Sequence, residues 1–171
     1  MIERTHHQIG LSSGTVFSDC EQHRYHLWPG WESIKRLVSF IMLNPSTADE
    51  LANDPTIERC QRRAMAGAYR GLEIANRFAL RSINAKALNA VEYPDNPIGI
   101  GSNKAIAEAA SGASVVIRGR CKHRSYVDCG EGALGVPRTI RIRSHALKLN
   151  GNGTPAHPLH LPYSAQPYSM E

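Results

Sequence analysis

The stretch that most constrains this chain is Leu37–Arg59, LVSFIMLNPSTADELANDPTIER. It opens with an unbroken apolar run, Leu37 to Leu43, short and rich in β-branched and aromatic residues. That length and content suit a strand buried on both faces. Asn44-Pro45 ends it, because proline has no N–H to give a ladder and fixes φ. A polar loop follows from Ser46 to Glu50. Asn53-Asp54-Pro55-Thr56 then signals a helix start, with Asp54 as N-cap and Pro55 at the first helical position. The order is buried strand, polar loop, helix. In open α/β sheets, ligands lie beyond the carboxyl ends of the strands. This loop is expected to lie there.

The rest of the chain supports the same class. Residues 1–14 are polar and read as a ragged N-terminus. Thr15–Trp31 alternates weakly and predicts two short strands at a sheet edge, joined by a turn near Ser18–Glu21. In the helix from Pro55, Ile57, Cys60, Ala64 and Ala68 form an apolar stripe. Glu58, Arg59, Arg62 and Arg63 form the wet face, and Gly67 or Gly71 ends the helix. Leu72–Leu80 reads as a second strand. A short helix follows at Ala85–Val91, then a loop at Tyr93–Gly101. Ser102 or Asn103 caps a helix carrying Ala105, Ile106 and Ala109. Ser114–Ile117 is a third strand and Thr139–Arg143 a last one. Strands alternate with helices. The expected fold is α/β: a three-layer sandwich with a mainly parallel central sheet flanked by helices, one domain over 15–163 with a tail at 164–171.

The net charge is +5 and the isoelectric point about 9.2, a mild basic excess that is compatible with a nucleic-acid or nucleotide partner. No secretory signal or membrane-length apolar run is present, so a cytoplasmic protein without a membrane partner is expected. The cysteines Cys20, Cys60, Cys121 and Cys129 are scattered, without a C-x-x-C pair. Free thiols are expected, and neither a metal nor a cofactor.

Asn44 offers an amide at a strand's carboxyl end, although it also suits a turn before proline. Asn76 is an amide in an apolar strand, where it needs partners or marks the strand's end. His157 is held between Pro155 and Pro158. Asp49, Glu50 and Asp54 are acids on the central loop, with helix capping the simpler role for Asp54. Arg118, Arg120, Lys122, His123 and Arg124 follow the third strand, where they either face solvent or meet phosphates. Ser46 and Thr47 lack the glycines and lysine of a phosphate loop.

The motifs FIMLNPSTAD, NDPTIERC, GLEIANRFALRS and GTPAHPLHL resemble the family called domain of unknown function 1643, from about Phe17 to Leu161. More distantly, their order resembles the uracil-DNA glycosylase superfamily, and Ile74-Ala75-Asn76-Arg77 is similar to the base-reading strand of its thermophile-type branch. That resemblance implies cleavage of an N-glycosidic bond in a flipped nucleotide. Asn44 would orient the attacking water, with Pro45, Ser46 and Asp54 beside it. Asn76 and Arg77 would meet the base. His157 would stabilise charge on the departing base, with Pro158 shaping its loop. Arg118-Gly119 stands where the family often has a Trp-Gly-like pair; the resemblance implies Gly119 as a substrate-binding position, and this chain departs from the family at the pocket wall.

Three functions stay open: an enzyme acting on nucleic-acid bases, a non-catalytic binder of a nucleotide or DNA, and a small-molecule hydrolase. The first requires Asn44, Asn76 and His157 to share a cleft.

Overall fold

The computed structural model describes residues 1–31, 36–82, 101–119 and 143–170. The strands are β1 (Ile2–Gln8), β2 (Leu11–Phe17), β3 (Arg24–Gly30), β4 (Leu37–Met42), β5 (Gly71–Asn76), β6 (Ala113–Arg118), β7 (Ser144–Ala146) and β8 (Tyr168–Ser169). The α-helices among the described residues are α1 (Pro55–Ala66) and α2 (Ser102–Gly112), and a 3-10 turn spans Pro158–His160. All the strands among the described residues join one 8-stranded sheet in the order β1-β2-β3-β5-β4-β6-β7-β8.

This corrects the expected architecture. The sheet is mixed, not mainly parallel, and it is not the helix-flanked three-layer sandwich of a glycosylase. The β5-β4, β4-β6 and β6-β7 pairs are parallel. The β1-β2, β2-β3, β3-β5 and β7-β8 pairs are antiparallel. The chain's first residues supply much of the difference. Residues 1–14 are not ragged: β1 pairs with β2 from Ile2↔Phe17 to Gln8↔Leu11. The turn uses Gly10 at φ +74°, which a side chain rarely adopts. β2 and β3 therefore lie inside the sheet, with β1 at its edge. The tail is likewise built into the sheet, through the pairing of β8 with β7.

β4 is the strand its apolar run predicts, buried from Val38 to Met42. Val38, Phe40 and Met42 face α1, packing with Ile57, Cys60 and Ala64 and with Leu72 and Ile74 of β5. Ile41 and Ala75 face the other way, onto Ile106, Ala109 and Ala110 of α2. Each Val, Leu, Ile, Phe or Met side chain among them contributes roughly 1.5–3 kcal/mol by leaving water. β5 stops at Asn76, short of the predicted Leu80, because the N–H groups of Arg77 and Phe78 go to Met42 and Leu43 carbonyls.

α1 begins as expected. Asp54 Oδ1 accepts the N–H groups of Thr56 (2.8 Å) and Ile57 (2.9 Å). Gly67 closes the helix by donating its N–H to the Arg63 carbonyl. Ala68 is beyond the helix at φ +55°, not on the apolar stripe. α2 is capped by Gly101 with no side-chain bond, in place of Ser102 or Asn103. Cys20 and Cys60 are free thiols, and burial pushes the Cys60 thiol well up. Cys121 and Cys129 lie outside the described residues. So do the predicted helix 85–91, all but Gly101 of the predicted loop 93–101, the basic residues 120–124 and all but Arg143 of the predicted strand 139–143, and Arg143 is in no strand. No described helix is long and apolar enough to cross a membrane.

Arg63 is not on the wet face of α1; it is 8% exposed. Its Nη2 donates to the carbonyls of Leu161 (2.8 Å) and Pro162 (2.9 Å), and more weakly to Pro158 (3.4 Å). Its Nη1 reaches Ala165 O at 3.4 Å and Tyr163 O at 3.5 Å. Arg59 Nη2 adds a bond to Leu161 O (2.7 Å), and the Tyr163 ring lies under both guanidinium groups. The segment from Pro158 to Ala165 is thereby fixed on α1.

Arg63→Ala is expected to cost roughly 2–3 kcal/mol, since it strips buried carbonyls of their donor. Urea denaturation measures the loss, and limited proteolysis should show new cutting near Tyr163. Arg62→Ala removes only an exposed ion pair with Glu58 and should cost less than about 0.5 kcal/mol.

Candidate functional site

The exits of β4 and β5 run side by side beyond the strands. Ser82 donates its N–H to Pro45 O (2.9 Å), extending the contact past the proline. Asn44 locks the pair: its Nδ2 donates to Pro45 O (3.0 Å) and Ser82 O (2.8 Å). Both partners are carbonyl oxygens, so the amide orientation is fixed. Oδ1 is left as an acceptor, with no hydrogen bond among the described residues.

The loop after Pro45 is tied to the helix start. Ser46 Oγ accepts the N–H of Thr47 (2.6 Å) and donates to Asp54 Oδ2 (2.9 Å). Asp54 thus spends one oxygen on the first turn of α1 and the other on Ser46. Asp49 and Glu50 line a separate pocket with His6 and Gln61.

The tail arrives from the other side. Asn150–Thr154 makes a tight turn with Gly153 at φ +78°, and Ala156 donates to Lys148 O (2.8 Å). This hairpin delivers His157 to the start of the 3-10 turn. His157 Nδ1 accepts the N–H of Leu159 (3.2 Å), which caps the turn and places the neutral ring's proton on Nε2. The rings of His157 and His160 are 5.6 Å apart.

These parts enclose one open cleft of about 760 Å³. Asn44, Ser46 and Asp54 line it from the β4–α1 side, and Lys148, His157 and His160 from the tail. Met42 and Ile57 supply apolar wall. Asn76 is not among the lining residues. It is 2% exposed, and neither amide atom has a hydrogen-bond partner among the described residues. It sits beside Met42 in parallel register, on the α1 face of the sheet. Arg77 points elsewhere, donating to Asn103 Oδ1 at the start of α2 (2.9 Å), and partial burial lowers its pKa. Pro45 and Pro158 are buried. A Cβ at Gly119 would come within 2.8 Å of Pro158 Cδ and 3.3 Å of Met42 Cγ. Gly119 therefore lets the 3-10 turn close onto β4.

The residues of the cleft that sequence reasoning missed include Lys148 and, above all, Arg24. It is 1% exposed yet lines the cleft. A register shift between Val16 and Phe17 pairs Phe17 with Arg24 and Val16 with His26, leaving Tyr25 as the extra residue. Tyr25 packs with Ala79 and Ala105, while Arg24 Nη1 donates to the Ala48 carbonyl on the cleft side. Burial lowers the Arg24 pKa to about 10, opposed by Asp54 and reinforced by Arg81. The only sequence signal was a lone charge inside a weakly alternating strand. Among the described residues no three His, Cys, Asp or Glu side chains gather as metal ligands.

Fold and cleft together define a mixed-sheet α/β protein with an open polar site beyond the ends of its parallel strands. The family described as Protein of unknown function (DUF1643) matches residues 24–159, and the chain belongs to that family. No curated protein and no solved structure matches it.

Asp54→Ala is expected to destabilise the fold by about 1–2 kcal/mol through loss of the N-cap. Ser46→Ala should cost less, about 0.5–1.5 kcal/mol for one hydrogen bond. Chemical denaturation of the two variants checks the order.

Proposed function

We propose that the cleft binds a nucleotide unit, either free or within DNA. The observation that carries this reading is convergence: Asn44, Ser46 and Asp54 share one cleft with Lys148, His157 and His160, far away along the chain. The volume of about 760 Å³ is in the range of small-ligand sites. Asn44 Oδ1 accepts and the His157 imidazole donates through Nε2, a pairing suited to the mixed edge of a base. The net charge of +5 favours a polyanion.

A second reading has one observation in its favour. Asn44 Nδ2 is held by two carbonyls, so Oδ1 is preset to accept from a water and orient it. With His157 donating to a base oxygen as charge grows there, the cleft would hydrolyse an N-glycosidic bond. The convergence expected of such an enzyme is met by Asn44 and His157 but not by Asn76, which does not line the cleft, so in this reading the base edge falls to other groups.

Binding to a fluorescent oligonucleotide should weaken linearly on a double-logarithmic plot against salt, because bound phosphates release counterions. Undetectable or salt-independent binding removes the nucleic-acid reading. Oligonucleotides carrying uracil, hypoxanthine or other altered bases test the second reading by abasic-site formation. There, Asn44→Ala or His157→Ala should each slow cleavage by roughly 10²–10³-fold. Cleavage untouched by both changes removes these residues from any catalytic role.

A further inference from the structure

We propose that Arg24 is the seat of a phosphate group in this cleft, with Lys148 as the second cation at its rim. The identity of the phosphate's carrier rests on the nucleotide reading above; the seat follows from the arginine's own surroundings.

A guanidinium carries five N–H donors. That of Arg24 makes one described hydrogen bond, from Nη1 to the neutral Ala48 carbonyl. Its Nε is sealed from solvent without an acceptor among the described residues, as is that of Arg63, so the two arginines differ at their Nη atoms. No described carboxylate lies within ion-pair distance of it. Asp54, the strongest opposite charge acting on it, has both oxygens committed to Ser46 and to the first turn of α1. A cation 1% exposed and so poorly matched is a standing cost to the fold.

Arg63 shows what a purely structural buried arginine looks like in this protein: both of its Nη atoms are spent on tail carbonyls. Arg24 has no such set. Its planar fork matches two oxygens of a phosphate, with shorter and stronger bonds than neutral partners give. The first turn of α1 cannot serve instead, because Asp54 already occupies the Thr56 and Ile57 N–H groups. Lys148 is an exposed residue of the same cleft and makes no ion pair among the described residues.

The test is thermal unfolding at matched ionic strength in chloride, inorganic phosphate, a nucleoside monophosphate, and a short single-stranded oligonucleotide without terminal phosphates. A ligand that binds only the folded state raises Tm, by about 5–10 °C at a hundredfold excess over Kd for a chain of this size. The wild type should respond to inorganic phosphate. Arg24→Met should not respond, and in chloride it should melt no lower than wild type. Lys148→Ala should keep a reduced response. A larger shift with the monophosphate identifies a terminal phosphate as the guest, and a larger one with the oligonucleotide an internal phosphodiester. If Arg24→Met does not fold, Arg24→Lys keeps the charge without the fork and should lose most of the phosphate response. An equal response in wild type and variant overturns the seat. So does no response in wild type, or an Arg24→Lys protein that keeps the full phosphate response. Oligonucleotide binding that survives Arg24→Met would remove the seat and leave the nucleotide reading standing. Phosphate stabilisation through Arg24, with no nucleotide or oligonucleotide bound, would do the reverse.

Discussion

The site depends on the buried guanidinium of Arg63. The segment from Pro158 to Ala165 is a 3-10 turn and irregular chain, whose carbonyls have no strand neighbour to satisfy them. Buried carbonyls without donors would drive such a segment off the surface. Arg63 reaches five of them at once, and Arg59 donates a second bond to one of the five, Leu161 O. With the turn docked on α1, Pro158 meets Gly119 at the end of β6, and His157 is carried to the mouth of β4. Without that staple the cleft would have one wall.

The elements legible in the sequence are those whose cause is local. Leu37–Leu43 is apolar on both faces and can only be interior strand. Asp54-Pro55 and Gly67 mark the ends of α1 by side-chain and backbone chemistry that neighbouring residues supply. Elements that depend on distant partners were not legible. β1 carries a single apolar residue, Ile2, so an edge strand with both faces largely polar leaves no alternation to see. Arg63 stands next to Arg62 in a charged helix; only its spacing of three from Cys60 hints that it shares the apolar stripe. The tail reads as loop because its order comes from α1 and β7, not from itself.

The site was legible to a similar degree. The Asn44 loop and the His157 loop were singled out by strand ends and prolines, and both line the cleft. Asn76 and Arg77 are adjacent in a pleated chain, so their side chains leave on opposite faces. Asn76 packs under the α1 side with its amide unmatched, and Arg77 reaches α2. A strand cannot aim both at one ligand.

The mixed sheet decides what the cleft offers. Among parallel strands, only carboxyl ends meet at this rim, and the usual source of positive potential there is a helix N-terminus. Here Asp54 neutralises that terminus, so α1 brings no free donor. β3 runs antiparallel to β5, with His26 opposite Ala75, and so presents its amino end to the same rim. The residue at that end is Arg24. The shift beside Phe17 turns it toward the cleft, where simple alternation from Leu27 would turn it away. An antiparallel strand inserted next to a parallel core can thus place a cation beyond the reach of either parallel strands or a capped helix. The sheet's departure from the parallel plan and the charge of the cleft have the same origin.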